Sequence, residues 1–297
     1  MQDRPTLQAL ALFAAVIRHG TMTAAAEAVG ISQPAISAQI RVLERHYNTR
    51  LLQREDRGSF PTPAGRLVAG YATRVVALVD ELERAVAELE NLSTGALVVG
   101  ASTTVGEHLL PTYLGRFHLT HPAVRLSMKI GNSAEATRMV VDRALDFAIV
   151  GQQPADPDLL VEPVLRDRIV AFVAPGDPLL DATPIDPPAL CGRQFVMREM
   201  GSATRALAET CLSRASCGPG HVIELGSNEA VKRAVEAGLG IGLLSTHAIE
   251  AERMAGLLHD LPIAGWRCGR SFWLIQRRDR TLTRAAQAFL ALLPRQP

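Results

Sequence analysis

Gln33, Ser37 and Arg41 recur at steps of four, and each side chain is suited to gripping or reading a nucleic acid. Gln can bond an adenine edge through two positions, Ser can bond base or phosphate, and Arg can neutralise phosphate or read guanine. A second polar set lies far downstream, in loops that follow apolar runs. These loops read Ser102-Thr103-Thr104, Gly131-Asn132-Ser133, Gly151-Gln152, Met200-Gly201-Ser202-Ala203-Thr204 and Gly226-Ser227-Asn228. All but Gly151-Gln152 are rich in hydroxyls or amides and open a helical pattern. Free backbone N–H groups, the helix dipole and short hydroxyls together favour a small anion or carboxylate. Taken singly, each loop reads equally well as an ordinary N-cap.

The first set needs a helix to present it. Leu7, Leu10, Phe13, Ala14 and Ile17 recur at helical spacing up to Gly20. Thr23 to Val29 forms a second short helix whose alanines let a neighbour approach closely. Gly30-Ile31-Ser32 makes a turn; Ser32 is placed to cap a third helix and Pro34 falls in its first turn. Ile36, Ile40 and Leu43 share the inward face of that helix, which leaves Gln33, Ser37 and Arg41 on another side. Helix, short helix, glycine turn and capped helix is the helix-turn-helix plan.

Beyond it, Tyr71, Val75, Leu78, Leu82, Ala85, Leu89 and Leu92 follow alternating steps of four and three. Flanked by Asp80, Glu81, Glu83, Arg84 and Glu88, this seam predicts a short coiled coil between two copies of the chain. A helix packed on its own domain is the competing reading. Two copies would let two reading helices address a two-fold symmetric site.

From Thr21 to Gly65 the sequence closely resembles the LysR-type regulator signature. The matching pieces are Ala25-Ala26, Ser32-Gln33-Pro34-Ala35, Ser37, Gln39-Ile40, Leu43-Glu44, Leu51-Leu52, Arg54 and Thr62-Pro63-Ala64-Gly65. The resemblance implies DNA contacts from Thr23, Ser32, Gln33, Pro34, Ser37 and Arg41. It also implies a wing over Leu52 to Thr62 whose Arg54 and Arg57 lie against the DNA. Where the family often has Arg after the helix Ser, this chain has Ala38, which leaves Arg41 and Arg45 for that phosphate contact. An interrupted dyad as target, a dimer or dimer of dimers, and RNA polymerase as a further partner belong to the same implication.

From Leu97 onward, strand and helix patterns alternate, which argues mostly parallel sheets covered by helices. Ala101-Ser102-Thr103-Thr104-Val105-Gly106 with Leu109-Leu110-Pro111 resembles the opening of the family's effector domain, and Gly238-Leu239-Gly240-Ile241-Gly242-Leu243 a late strand entry in it. The Ser-Thr-x-x-Gly form resembles the branch that includes Calvin-cycle and sulfur-assimilation regulators. The implied fold is multi-domain. An all-α winged helix-turn-helix spans 1–63, a linker helix 64–92, and a periplasmic-binding-protein-like α/β unit of two Rossmann-like lobes 93–297. The dimer seam is assigned to Tyr71, Val75, Leu78, Leu82 and Leu89. Effector contacts are implied for Ser102, Thr103, Thr104, Asn132, Ser133, Ser202 and Thr204, with Gly151 and Asn228 completing the set.

Composition narrows the alternatives. The 297 residues are 47% hydrophobic and 21% charged, which suits globular domains. Net charge is only +1, yet residues 1–66 carry eight Arg against five acids. No apolar run is long enough for a bilayer, and the N-terminal residues lack a secretory pattern, so a cytoplasmic regulator is expected. No dinucleotide fingerprint, P-loop, HExxH or GxSxG element occurs, so neither enzyme, cofactor nor metal is expected. An enzyme or solute-binding module in the last 200 residues is the alternative from another class. Cys191, Cys211, Cys217 and Cys268 form no CxxC pair and are expected as free thiols; a Cys211–Cys217 redox pair is the competing reading.

Overall fold

The computed structural model describes residues 4–55, 58–90, 96–182, 184–218 and 220–294, without the side chains of 54, 55, 58, 59, 84, 85 and 87–90. The chain divides into two compact units, one reaching Glu90 and one holding the bulk of the chain from Ala96 onward.

The first unit opens with α1 (Leu7–His19), α2 (Met22–Val29) and α3 (Gln33–His46). Thr6 and Thr21 cap the first two through their hydroxyls, at 3.1 Å each. Both helices end on a glycine with positive φ, and Gly30 at +74° makes the corner into α3. Ser32 occupies the cap position of α3 but its hydroxyl makes no capping bond. Phe13, Ala25, Ile36, Ile40, Leu43 and Leu51 fill the core. β1 (Leu52–Glu55) and β2 (Gly58–Pro61) pair as an antiparallel hairpin, the wing.

The signature residues around the wing have structural work. Glu44 Oε1 accepts from Leu51 N at 2.8 Å, pinning the entry to β1. Thr62 Oγ1 accepts from Gly65 N at 2.9 Å and starts α4 (Pro63–Glu90), with Pro63 first in the helix. A Cβ on Gly65 would lie 2.0 Å from the Leu51 carbonyl oxygen, so only glycine lets helix and wing meet there. At 28 residues, α4 is about 42 Å long for a rise of about 1.5 Å per residue.

The second unit begins with β3 (Ala96–Ser102), α5 (Thr103–His108), α6 (Leu110–Thr120), β4 (Arg125–Gly131), α7 (Ser133–Val141), β5 (Phe147–Val150) and β6 (Leu159–Val173). It continues through β7 (Gln194–Arg198), α8 (Ala203–Arg214), β8 (His221–Leu225), α9 (Asn228–Glu236), β9 (Ile241–Ser245) and α10 (Glu250–Met254). It ends with β10 (His259–Leu261), β11 (Gly269–Arg277) and α11 (Arg284–Leu290). Strand order is β4-β3-β5-β11-β6-β9-β7-β8, with β10 on β6. Lobe I is built on β4-β3-β5 with β11 beside β5, lobe II on β9-β7-β8, and the long β6 pairs with β11 in the first sheet and with β9 and β10 in the second. Phe117, Phe147, Phe272 and Phe289 fill one face of lobe I. Phe195, Met197, Leu212 and Ile241 anchor lobe II.

The expectation of mostly parallel sheets needs correcting. Each lobe's three core strands are parallel, but β6 is antiparallel to β9, β10 and β11, and β11 to β5. The first half of β6 carries no strand signal in the sequence, because Glu162, Pro163, Arg166 and Arg168 are exposed and break up its apolar pattern. The helical stretch after β3 is divided in two at Leu109.

The cysteines also differ from expectation. Cys211 is bonded to Cys268, with Cα atoms 5.8 Å apart, instead of remaining free or pairing with Cys217. The inward face of α8 turns Cys211 toward the start of β11. Cys217 lies past the helix end, beside Cys191, and burial raises its thiol pKa to about 11.

Candidate DNA-reading surface and effector cleft

The outward face of α3 carries Pro34, Ala35, Ala38, Arg41 and Arg45, all exposed. Arg41 Nη2 donates to Ser37 Oγ at 3.3 Å. Ser37 is largely buried, yet it lines the same concave surface as Arg41, and its hydroxyl orients the arginine. Gln33 is half-buried, its Nε2 lying 3.7 Å from Met22 Sδ. Thr23 and Ser32 are exposed at the two ends of the turn. Arg50 adds a third cation to a concave surface shared with Arg41 and Arg45. Arg54 lies on β1 with its side chain undescribed, and Arg57 lies outside the described residues.

Along α4 the expected seam is open. Tyr71 is 60% exposed, Val75 41%, Leu78 52% and Leu82 62%, whereas Ala69 and Ala72 are buried. The opposite face therefore packs on the unit's own core and leaves the larger apolar side chains without cover. Ala85 and Leu89 are on helix backbone without described side chains, and Leu92 is outside the described residues.

In the second unit, β3, β4 and β7 end at Ser102, Gly131 and Arg198, and the strand ends converge. Ser102, Thr103, Thr104, Asn132, Ser133, Ser202 and Thr204 line one cleft, together with Ala203, Arg198 and Arg270. Seven of the nine expected effector residues are thus brought together. Ser202 Oγ caps α8 by accepting from Arg205 N. Asn132 and Glu135 cap α7 reciprocally at 2.9 and 3.0 Å. The remaining two sit one layer back. Gly151 N donates to Ser133 Oγ at 3.1 Å, and a Cβ on Gly151 would come within 2.9 Å of Arg270 Nη1. Asn228 is buried and accepts from Arg198 Nη1 at 2.6 Å.

The cations of the cleft were missed in the sequence. Arg198 ends the buried run Phe195-Val196-Met197, where a strand delivers a side chain to a ligand, and that position was the available signal. Arg270 lies two residues before Phe272, at the polar start of β11, where no apolar run marks a strand. Arg198 is 2% exposed and pairs with Glu199 at 2.7 Å. Arg270 Nε and Nη2 both lie 2.8 Å from Asp167 Oδ2, and its Nη2 also donates to Thr204 Oγ1 at 3.2 Å. Ser245 Oγ donates to the other Asp167 oxygen at 2.7 Å. Burial pushes Arg270 below its ordinary range; Asp167 opposes this, and the charge of Arg198 adds to it. Arginine keeps its proton under such pressure, so the pressure becomes a demand for negative charge. The cleft leaves only about 10 Å³, room for about one water, so a larger occupant requires its walls to part.

Comparison with known proteins places both units. Residues 7–66 match the bacterial regulatory helix-turn-helix protein, lysR family, and residues 90–296 match the LysR substrate binding domain. Among relatives, a probable RuBisCO transcriptional regulator from Trichormus variabilis is 33% identical, covering 97% of this chain and 88% of the relative. The HTH-type transcriptional regulator CbbR of Sinorhizobium medicae is 36% identical over 96% of this chain and 91% of its own. Of solved structures, the Synechocystis CcmR regulatory domain in complex with 2-PG is 30% identical, with a TM-score of 0.62. It covers 67% of this chain and 95% of that one. Full-length CbnR shares the fold at 19% identity and a TM-score of 0.70, covering 97% of each chain. The chain belongs to the LysR family of DNA-binding transcriptional regulators, with a helix-turn-helix head and an effector-binding unit.

Proposed function

We propose that this regulator is controlled by a compact dianion, such as a phosphorylated carboxylate, held between the two lobes by Arg198 and Arg270. The observation that carries this reading is the pair of buried guanidiniums facing a cleft whose other walls are hydroxyls, an amide and helix starts. Binding of 2-PG by the CcmR domain supports it. Ser102, Thr104, Ser133, Ser202 and Thr204 supply neutral donors around the anion, and Gly151 and Asn228 support the walls.

In the head, Gln33 and Arg41 read or grip DNA, with Thr23, Ser32, Pro34, Arg54 and Arg57 completing the surface and Ser37 orienting Arg41. Two copies pair through Tyr71, Val75, Leu78, Leu82 and Leu89, which sets the two heads for an interrupted dyad and allows a dimer of dimers. The reading requires no catalytic step and no resident cofactor, and it places the protein in the cytoplasm, acting through RNA polymerase.

Calorimetric titration of the full chain with 2-phosphoglycolate, inorganic phosphate and acetate tests the cleft. The doubly charged probes are expected to bind and acetate to bind far more weakly. Equal affinity for acetate and 2-phosphoglycolate would sink the reading, as would unaltered binding in Arg198→Ala.

A further inference from the structure

Arg198 has five N–H donors and no acceptor. Glu199 takes two of them, from Nε at 2.7 Å and from Nη2 at 3.0 Å. Thr103 Oγ1 takes one from Nη2 at 3.1 Å and passes its own proton to Gly131 O, also at 3.1 Å. Asn228 Oδ1 takes one from Nη1 at 2.6 Å. A guanidinium can only donate, so Asn228 must turn its carbonyl oxygen toward it. Its amide group then faces the other way, where Glu107 Oε2 accepts from Nδ2 at 3.1 Å.

This chain of bonds crosses between lobes. Arg198 and Asn228 belong to lobe II, at the end of β7 and the start of α9. Thr103 and Glu107 belong to lobe I, four residues apart on one face of α5. Asn228 is 1% exposed, yet it does no capping work, because Ser227 Oγ already caps α9 by accepting from Ala230 N at 3.1 Å. A buried amide that neither caps its helix nor lines the cleft is accounted for by its two bonds alone.

We propose that Asn228 and Glu107 are positioning residues that strut the two lobes together and hold Arg198 in its ligand-facing rotamer. The strut deepens the anion-site reading and rests on it for the role of Arg198. Polarity makes the arrangement specific: donor-only arginine, two-faced asparagine, acceptor-only glutamate. Replacing any member by a group of the wrong polarity breaks the crossing even when size is preserved. Glu107→Gln keeps an acceptor for Asn228 Nδ2, whereas Glu107→Ala removes it. Asn228→Asp still accepts from Arg198 but sets a second carboxylate against Glu107.

Two readouts on the full chain test this. Hydrogen exchange in the ligand-free protein reports on α5 and the start of α9. Titration with 2-phosphoglycolate reports on Arg198. Glu107→Ala and Asn228→Asp should exchange faster in both segments and bind the probe about tenfold more weakly, the usual scale for one lost bond to a charged or buried partner. Glu107→Gln should recover most of both losses, which a purely charge-based role would not do, and the loss in Asn228→Asp, which preserves size, is one that a packing role would not give. Exchange in Glu107→Ala equal to the parent's overturns the strut, and so does a Glu107→Gln variant as loose as Glu107→Ala. Because exchange is read without ligand, it decides the strut even if Arg198→Ala proves the anion reading wrong.

Discussion

The two units bury different things. Among described side chains of the head, Ser37 is the only buried polar one, and the core is alanine, valine, leucine, isoleucine and phenylalanine. The effector unit buries Asp146, Asp167, Arg198, Lys232, Glu252, Arg277 and Arg280 as well as its hydrophobic core. The head therefore holds its reading groups on the surface of an apolar scaffold, where they are solvated until DNA replaces water. The effector unit keeps charge inside, where it is costly unless paired and correspondingly responsive to an added anion. Injury to the head should act through packing and surface contacts; injury to the effector unit should act through charge.

The largest expected effect is that of Arg270→Ala. It leaves the Asp167 carboxylate, whose side chain is fully buried, with Ser245 as its remaining bonded partner. Removing one member of a buried pair costs about 3–5 kcal/mol, so the effector unit's unfolding transition should fall by that amount. Binding of 2-phosphoglycolate should be lost in the same variant. Arg270→Ala unfolding with the parent's midpoint in urea would erase the contrast between the units.

Gly65→Ala is the matching injury to the head. The added methyl meets the Leu51 carbonyl oxygen, so wing and α4 must separate. Overpacking of this kind costs about 1–3 kcal/mol. DNA affinity should drop while the anion titration stays at the parent's value; the reverse pattern would contradict the division of labour.

These two lesions also mark what could be read from the sequence. Gly65 was legible only through the Thr62-Pro63-Ala64-Gly65 resemblance, since the Leu51 carbonyl it approaches is distant along the chain; the head's caps and turn were legible because each is set by neighbours a few positions away. Seven cleft residues were visible for the same reason, since hydroxyls and amides at helix starts announce themselves locally. Arg270 was not, because nothing in Gly269-Arg270-Ser271 reveals that β11 passes beside Asp167, about a hundred residues earlier. The Cys211–Cys268 bond was hidden likewise, by a separation of 57 residues. Ser37 was half legible: helical spacing set it beside Arg41, where it lies, but the depth of its neighbours, which decides burial, is a tertiary property.

Gln33→Ala should have a smaller effect, confined to surface chemistry. A bidentate contact to a base is worth about 1–3 kcal/mol of discrimination, so specificity should relax while stability hardly changes. Comparing cognate with scrambled duplex at fixed salt checks this, since the phosphate contribution depends steeply on ionic strength. An unchanged ratio would remove Gln33 from the reading surface.

The smallest expected effect is on pH dependence, and it should be confined to the effector unit. His108 follows Glu107 on α5, and its buried Nε2 lies 3.6 Å from Glu107 Oε2 without a hydrogen bond. Burial lowers its pKa, Glu107 opposes, Lys232 lowers it further, Glu252 opposes and His247 lowers it again. Below the ordinary histidine value of 6.5 the unfolded chain therefore takes up a proton that the folded chain still refuses. The associated stability is complete above that pH and is lost as pH falls toward the lower folded value. His108→Leu should flatten the decline in urea midpoint between pH 7 and pH 5.5 without lowering the midpoint at pH 7, because the neutral ring gives up no hydrogen bond at Nε2. If parent and variant decline in parallel, protonation of His108 is not what the effector unit resists. The contrast between the two units would then rest on its ion pairs alone.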